Sequence, residues 1–356
     1  VTPSSTPRDY LVLGAGAIGG TLAHHLAAAG HPVTVVDTDA QHIAAIRAHG
    51  ITVEHADGSR RAVPVARALT PQQAADAGLT TRRVLLATKG QDTETAMAWL
   101  APRLADNGFV VSCQNGDNEP VIASFVGRER VVGAFVNIFA DVVAPGVVRD
   151  GGAAAFVVGE VDGSQSERVT QTVADLQAWG PVRQTDNVQG YLWAKYGFGE
   201  ILTATALVDA PMAHTIDRHR AVVAEVAREV NRIAIAEGRR LEAFDAYEPA
   251  AFLDGVAPEV TDAALDRLIA WLHTMPKDRS GVWRDIAVRG RRTEVHLDLD
   301  RYFRLADAHD LHTPLLRRLD LMLAELEEGV RDFDDANLTE LGRATCLTAG
   351  SREPGR

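Results

Sequence analysis

From Tyr10 onward the chain alternates short apolar, β-rich runs with stretches of helical periodicity. Tyr10 to Leu13 reads as a strand, then an Ala-rich helix runs to Ala29 with Gly30 just past its end, and Val33 to Val36 reads as a second strand. That is a βαβ unit. Ile51 to Glu54 and Arg61 to Val65 flank Asp57-Gly58 and read as a hairpin inserted before the sheet resumes. Val84 to Thr88 and Phe109 to Cys113 read as buried parallel strands, each leading into a helix that begins near Asp92 or Glu119. The Val, Phe and Gly content from Val131 to Gly159, with its Pro145-Gly146 turn, predicts antiparallel strands finishing this part of the chain. A helix over Ser166 to Trp179 and a short strand follow. Beyond Asp186 helical periodicity takes over, in Val188 to Val208, Arg218 to Ala236, Asp262 to His273, Thr293 to Ala308 and Pro314 to Glu328. The first residues read as a frayed lead-in, and the chain after about Asp332 loses its periodicity.

A length of 356 residues fits two domains at the usual ~100 to 200 residues each. With 46% hydrophobic and 24% charged residues, general disorder is excluded. The net charge of -12 opposes sequence-blind attraction to phosphate backbones or anionic lipid, so neither nucleic acid nor membrane is expected as a partner. No run approaches the ~20 apolar residues of a membrane span, and the opening residues lack the apolar core of a secretory signal, which predicts a soluble, cytoplasmic protein. Cys113 and Cys346 match no metal or redox spacing and read as reduced thiols. Among 36 basic residues only Lys89, Lys195 and Lys277 are lysine. Arginine cannot give up a proton near neutral pH and lysine can, so a position that needs proton transfer would resist such a bias.

Gly14-Ala15-Gly16-Ala17-Ile18-Gly19 follows a predicted strand and opens a helix, the context that gives a G-x-G-x-x-G match its meaning. Gly14 permits the tight turn, Gly16 the approach of a pyrophosphate, and Gly19 close helix–strand packing, while the free amides of the helix start face the phosphates. Asp37 ends the second strand near the offset at which a carboxylate accepts hydrogen bonds from the adenosine ribose. A carboxylate there repels a 2′-phosphate, and no Lys or Arg adjoins it, so NAD(H) is favoured over NADP(H). The other reading of Asp37 is a solvated helix cap. Thr88-Lys89-Gly90-Gln91 and Gln114-Asn115-Gly116-Asp117-Asn118 stand at carboxyl ends of predicted parallel strands, where such sheets bind ligands. Lys89 offers a positive charge to a carboxylate or to the cofactor, and Asn115 a two-sided amide.

In the helical half, Leu192-Trp193-Ala194-Lys195-Tyr196 sets a lysine in an apolar helix, either snorkelling or a functional amine. Ser280-Gly281-Val282-Trp283-Arg284-Asp285 and Arg291-Arg292-Thr293-Glu294 follow, Glu294 opening a helix where it could serve only the helix dipole. Taken in order and spacing over residues 10 to about 330, GAGAIG, TKGQ, QNG, LWAKY, S-G-x-x-R-D and R-x-T-E resemble the ketopantoate reductase (2-dehydropantoate 2-reductase) family.

The resemblance implies an α/β architecture, with an N-terminal Rossmann-type dinucleotide-binding domain over 8–185 and an all-helical, 6-phosphogluconate dehydrogenase-like domain over 186–332; the lost periodicity leaves 333–356 as a loose tail. The resemblance also implies Lys195 as general acid, Glu294 as the carboxylate holding lysine and substrate, and Lys89 and Asn115 near nicotinamide and substrate. The chain also departs from the family. Gly199, followed by Glu200, replaces an asparagine that touches substrate, Ser280-Gly281 replaces a Ser-Ser pair, Asp278 replaces a further asparagine, and His296 replaces an acid. Gly199, Asp278 and Ser280 therefore belong to a rebuilt substrate shell, which argues against ketopantoate itself. The family commonly prefers NADPH, which Asp37 opposes.

The expected activity is hydride transfer between a nicotinamide cofactor and a small 2-oxo or 2-hydroxy acid or related carbonyl compound, with a specialised biosynthetic pathway as one setting. The alternatives are a 2-dehydropantoate 2-reductase using NADPH and a non-catalytic dinucleotide-binding redox sensor. The expected partner is a small carboxylate substrate, and the helical half offers a surface for a homodimer. His309-Asp310-Leu311-His312 resembles a helix junction of the family, so no metal is expected; His24-His25 reads as helix surface near the glycine loop.

Overall fold

The computed structural model describes residues 7–349 except 56, 139, 153 and 276, and of residues 345–349 the backbone alone. The chain separates into two compact units, Val1–Val188 and Gln189–Arg356.

In the first unit the apolar runs at Tyr10–Leu13, Val84–Leu86 and Val131–Val136 are buried on both faces, as parallel strands under helices must be. The elements in chain order are β1 (Tyr10–Leu13), α1 (Ala17–Ala28), β2 (Val33–Val36), α2 (Ala40–His49), β3 (Ile51–Glu54), β4 (Arg60–Val63), β5 (Arg67–Leu69), α3 (Pro71–Asp76), β6 (Thr81–Leu86), α4 (Thr93–Leu100), β7 (Leu104–Ser112) and α5 (Glu119–Val126). They continue with β8 (Val131–Val136), β9 (Ala140–Ala144), β10 (Val147–Asp150), β11 (Phe156–Glu160), α6 (Glu167–Leu176) and β12 (Val182–Gln184). An eight-stranded sheet runs β12-β11-β8-β7-β6-β1-β2-β5. Its β5-β2-β1-β6-β7-β8 part is parallel throughout and has the doubly wound order of a dinucleotide-binding fold.

The antiparallel strands expected from Val131 to Gly159 are present, since β9 and β10 pair antiparallel across the Pro145-Gly146 turn and β11 pairs antiparallel with β8, but they do not form one block. β8 pairs parallel with β7 and extends the main sheet, β11 returns antiparallel to β8, and β9 and β10 leave for a second sheet, β4-β3-β10-β9. Apolar content marked these as strands, but it carries no direction. The hairpin expected around Asp57-Gly58 is present as β3–β4, and it belongs to that second sheet.

The second unit is helical: α7 (Val188–Thr205), α8 (Met212–Arg218), α9 (Arg220–Ala236), α10 (Pro258–Leu272), α11 (Gly281–Trp283), α12 (Val295–Ala308), α13 (Pro314–Glu327) and α14 (Ala336–Ala349). Glu229 on α9 is buried and accepts the backbone amides of Leu315 and Leu316 at 3.0 and 2.9 Å, capping the start of α13 where Pro314 has no amide to give. The loose tail expected from 333 is also corrected. Asn337 donates from Nδ2 to Leu207 O at 2.9 Å, and Leu338 and Leu341 are fully buried, so α14 is docked on this unit. Residues 350–356 and the Cys346 side chain lie outside the described residues. Among the described residues no helix is long and apolar enough to cross a membrane.

Candidate functional site

Three strand ends carry the candidate site residues of the first unit. Gly14 turns the chain out of β1 at φ +92°, its amide on Val36 O at 2.8 Å, and a Cβ there would stand 2.8 Å from the Ala87 carbonyl carbon. A Cβ on Gly19 would lie 1.9 Å from Gly14 O, so helix and turn touch only because that residue is glycine. Around Gly16 the opposite holds: an added Cβ meets nothing within 4 Å. The amides of the first turn of α1, including those of Ala17 and Ile18, have no side-chain cap and no acidic neighbour in that turn. An open approach, free amides and the positive helix end together fit a pyrophosphate.

Asp37 closes onto this loop. Its Oδ2 accepts the Ala15 amide at 2.6 Å and its Oδ1 accepts the Asp39 amide at 2.9 Å. The cap of α2 is Asp39, which accepts from Gln41 and His42, so Asp37 is not the capping residue. His42 was missed from sequence. It is buried, and because Gly146 N donates to its Nδ1 at 3.1 Å the ring proton sits on Nε2 and goes to Ala15 O at 3.0 Å. Both backbone groups of Ala15 are thus held by side chains that follow β2. His24, expected on the helix surface, is instead buried, with Nδ1 on Ile51 O at 2.9 Å, and burial lowers its pKa to about 4. It faces the second sheet, and a helix of mostly small residues gave no apolar stripe from which to tell its inner side.

The other two strand ends are tied to each other. Gln114 donates from Nε2 to Thr93 Oγ1 at 2.9 Å and to Thr88 O at 3.1 Å, and Asn118 donates to Asn115 O at 2.7 Å. Lys89 and Asn115 both remain exposed on these loops. Beneath them Glu119, the first residue of α5, is buried; desolvation and the neighbouring Asp117 push its carboxyl well above the usual range. A cavity of ≈ 560 Å³ opens at the amino ends of the same strands, lined in part by Arg8, Arg82, Arg83 and Arg168. Arg8 and Arg168 there hold Asp175 and Glu160, and the glycine turn is at the other end of β1.

In the helical unit, α7 is buried all round except at Tyr191, Lys195, Gly199 and Leu202, one stripe at helical spacing. Lys195 is half-buried, and desolvation lowers its pKa to about 8 against the opposing charge of Asp245. Asp245 is a second residue that sequence reasoning missed. Its signal is a non-glycine backbone at φ 45°, in the tight Phe244–Tyr247 turn. On the buried side of α7, Glu200 is raised to about 8 by desolvation and then by Asp298, which is itself raised to about 6. Glu294 stands exposed at the N-cap of α12. Ser280 is buried as the N-cap of α11, its Oγ accepting Trp283 N at 3.2 Å, whereas Asp278 is exposed and paired with Arg279 at 3.0 Å. His296, in the place of an expected acid, sits between Asp320 and Glu327. His309 pairs with Glu237, and among the described residues no group of three potential ligands could hold a metal ion.

A doubly wound sheet with a glycine-turn anion seat, joined to a helical unit carrying a lysine of lowered pKa, defines a nicotinamide-dependent oxidoreductase. The family models for ketopantoate reductase PanE/ApbA and for its C-terminal part match residues 10–163 and 187–327, so the chain belongs to the ketopantoate reductase family. It is 28% identical over 312 residues to a 2-dehydropantoate 2-reductase of Halobacterium salinarum, covering 87% of this chain and 95% of that one. It is 31% identical over 208 residues to the enzyme of that name from Mesorhizobium japonicum, covering 52% and 62%. Among solved structures it resembles a PanE/ApbA family ketopantoate reductase from Ralstonia eutropha, with TM-score 0.73, 28% identity and coverage of 90% and 99%. It also shares the fold of a D-mandelate dehydrogenase bound to NADH and anilino(oxo)acetate, with TM-score 0.72, 19% identity and the same coverage.

Proposed function

We propose that the protein reduces small 2-oxo acids, or oxidises the matching 2-hydroxy acids, with NAD(H) favoured over NADP(H). The observation that carries the proposal is Lys195, half-buried on the one accessible stripe of α7 with its pKa drawn to about 8. An amine so placed exchanges a proton near neutral pH, which an unperturbed lysine at about 10.4 does poorly. In reduction the ammonium donates its proton to the oxygen of the developing alkoxide; in oxidation the neutral amine takes it back. Glu294 orients that amine and the substrate. The open approach at Gly16 and the uncapped amides of α1 support a dinucleotide seat, and Asp37, fixed on the same loop, supports the ribose partner of an NAD-type adenosine. The dinucleotide, when bound, supplies or accepts the hydride. Lys89 and Asn115 are the proposed contacts to nicotinamide and substrate carboxylate. Ser280, although it accepts a backbone amide, keeps a hydroxyl proton to donate to substrate; Asp278, exposed and paired with Arg279, is the less suited of the two.

A second reading, reduction of 2-dehydropantoate with NADPH, is favoured by the names of both curated relatives. One experiment separates the readings. The purified chain is mixed with NADH or NADPH and a panel of 2-oxo acids that includes 2-dehydropantoate, and loss of reduced-nicotinamide absorbance is followed. Oxidation of NADH by simple 2-oxo acids supports the first reading, and a preference for NADPH with 2-dehydropantoate replaces it with the second. Nucleotide binding without turnover on any acid removes both and leaves a sensor.

A further inference from the structure

The accessible stripe of α7 carries an unexplained glycine. Glycine inside a helix costs about 1 kcal/mol relative to alanine, so each one requires a local reason. Gly197 has one, because a Cβ there would stand 2.6 Å from the Tyr247 hydroxyl and 2.8 Å from Asn231 Oδ1. Gly199 has none within the fold. Its φ is not positive, and an added Cβ meets nothing within 4 Å. Packing and backbone would both accept a side chain at 199, and the space it would fill lies on the same face as Lys195, one turn or about 6 Å along the axis. Leu202, partly accessible three residues further, continues the same stripe with an apolar side chain. The adjacent polar residue, Glu200, is buried and has Asp298 as its charged neighbour, so it offers the stripe no carboxylate.

Resting on the reading of Lys195 as proton carrier, we infer that Gly199 sets substrate size: the preferred 2-oxo acid carries a bulky apolar substituent, branched or aryl, that lies over Gly199 towards Leu202. The reaction is R–CO–COO⁻ plus NADH plus a proton giving R–CHOH–COO⁻ plus NAD⁺. The hydride forms the new C–H bond, the carbonyl π pair becomes the O–H bond with the Lys195 proton, and the cofactor is the species oxidised.

The test compares kcat/KM for pyruvate, 4-methyl-2-oxopentanoate and phenylpyruvate in the wild type and in Gly199→Ala and Gly199→Leu. Alanine favours the helix more than glycine does, so at least that variant keeps the fold. Wild type should prefer the larger acids to pyruvate by about tenfold or more, the scale on which an apolar pocket discriminates by size. Gly199→Leu should lower the phenylpyruvate-to-pyruvate ratio by about tenfold or more, with Gly199→Ala between. Turnover with a ratio that moves less than about twofold overturns the inference and leaves the 2-oxo acid reading intact. No turnover of any 2-oxo acid by the wild type overturns both.

Discussion

Lys195 should report its own ionisation in both directions of turnover. Its pKa lies at about 8 because burial disfavours the ammonium more than Asp245 favours it. Relative to an ordinary lysine that is a penalty of about 3 kcal/mol on the charged form, at roughly 1.4 kcal/mol per unit. Reduction needs the ammonium, so kcat/KM for the 2-oxo acid should be flat below pH about 8 and fall tenfold per unit above it, while oxidation should rise through the same midpoint. Asp245→Asn removes the charge that holds the ammonium in place, so the midpoint should move to lower pH in both directions. Stability carries the matching signature. The folded pKa is below the unfolded one, so between about 8 and 10.5 the unfolded chain binds more protons, and stability rises with pH across that window. Below pH 8 the penalty is present in full. Lys195→Met should therefore be inactive yet more stable than wild type at pH 7, by up to about 3 kcal/mol before discounting for partial exposure, with the advantage gone by about pH 10.5. Activity against pH in both directions, with denaturant unfolding at pH 7 and 10.5, checks each part. A midpoint near 10.5, or an upward shift in Asp245→Asn, would refute the reasoning.

Three further outcomes are expected. Asp37→Asn keeps an acceptor for the Ala15 amide but removes the charge, and should tighten NADPH binding about tenfold or more, since a carboxylate about 4 Å from a 2′-phosphate costs roughly 1 to 4 kcal/mol; an unchanged NADPH Kd by fluorescence titration would remove the NAD assignment. His42→Ala frees both Ala15 O and Gly146 N and should weaken NADH about five- to thirtyfold, for about 1 to 2 kcal/mol of lost support; unaltered affinity would mean that the loop holds its shape without the ring. His24 is buried with a folded pKa of about 4, below the unfolded 6.5, so its contribution is complete above pH 6.5 and is lost as pH falls towards 4. His24→Gln should flatten the fall in Tm over that interval, and parallel curves for variant and wild type would sink the assignment.

The order of strands and helices was readable because each depends on local patterning: burial on both faces for β1, β6 and β7, a glycine turn into α1, and long apolar stripes in the second unit. What was not readable depends on partners distant in sequence. β8 and β11 share the same apolar composition, yet one runs parallel to its neighbour and the other antiparallel, a choice made by chain connection rather than by residue type. α14 looked like a tail because its two buried leucines make too weak a stripe. The contacts that dock it, Asn337 on Leu207 O and Glu340 with Arg318 and Arg331, reach across up to 130 positions. His42 and Asp245 escaped for the same reason, since neither belongs to a motif and each matters only through what it meets.

Composition and coordinates bear on Lys195 by independent routes. A chain that uses arginine at nearly every basic position draws attention to each lysine it keeps, because of the two only lysine can give up a proton near neutral pH. A lysine is kept where the group must become neutral, where it must be compact, or where drift has not reached it, and composition does not choose among these. Burial does. Lys195 is half-buried on an otherwise buried helix, and desolvation brings its pKa down to about 8. A guanidinium in that position would stay charged through the whole physiological range and could not return a proton. Lys195→Arg should consequently keep the charge and much of the packing yet lose turnover in both directions, and an active Lys195→Arg enzyme would mean that the positive charge, not the proton, is what the position supplies.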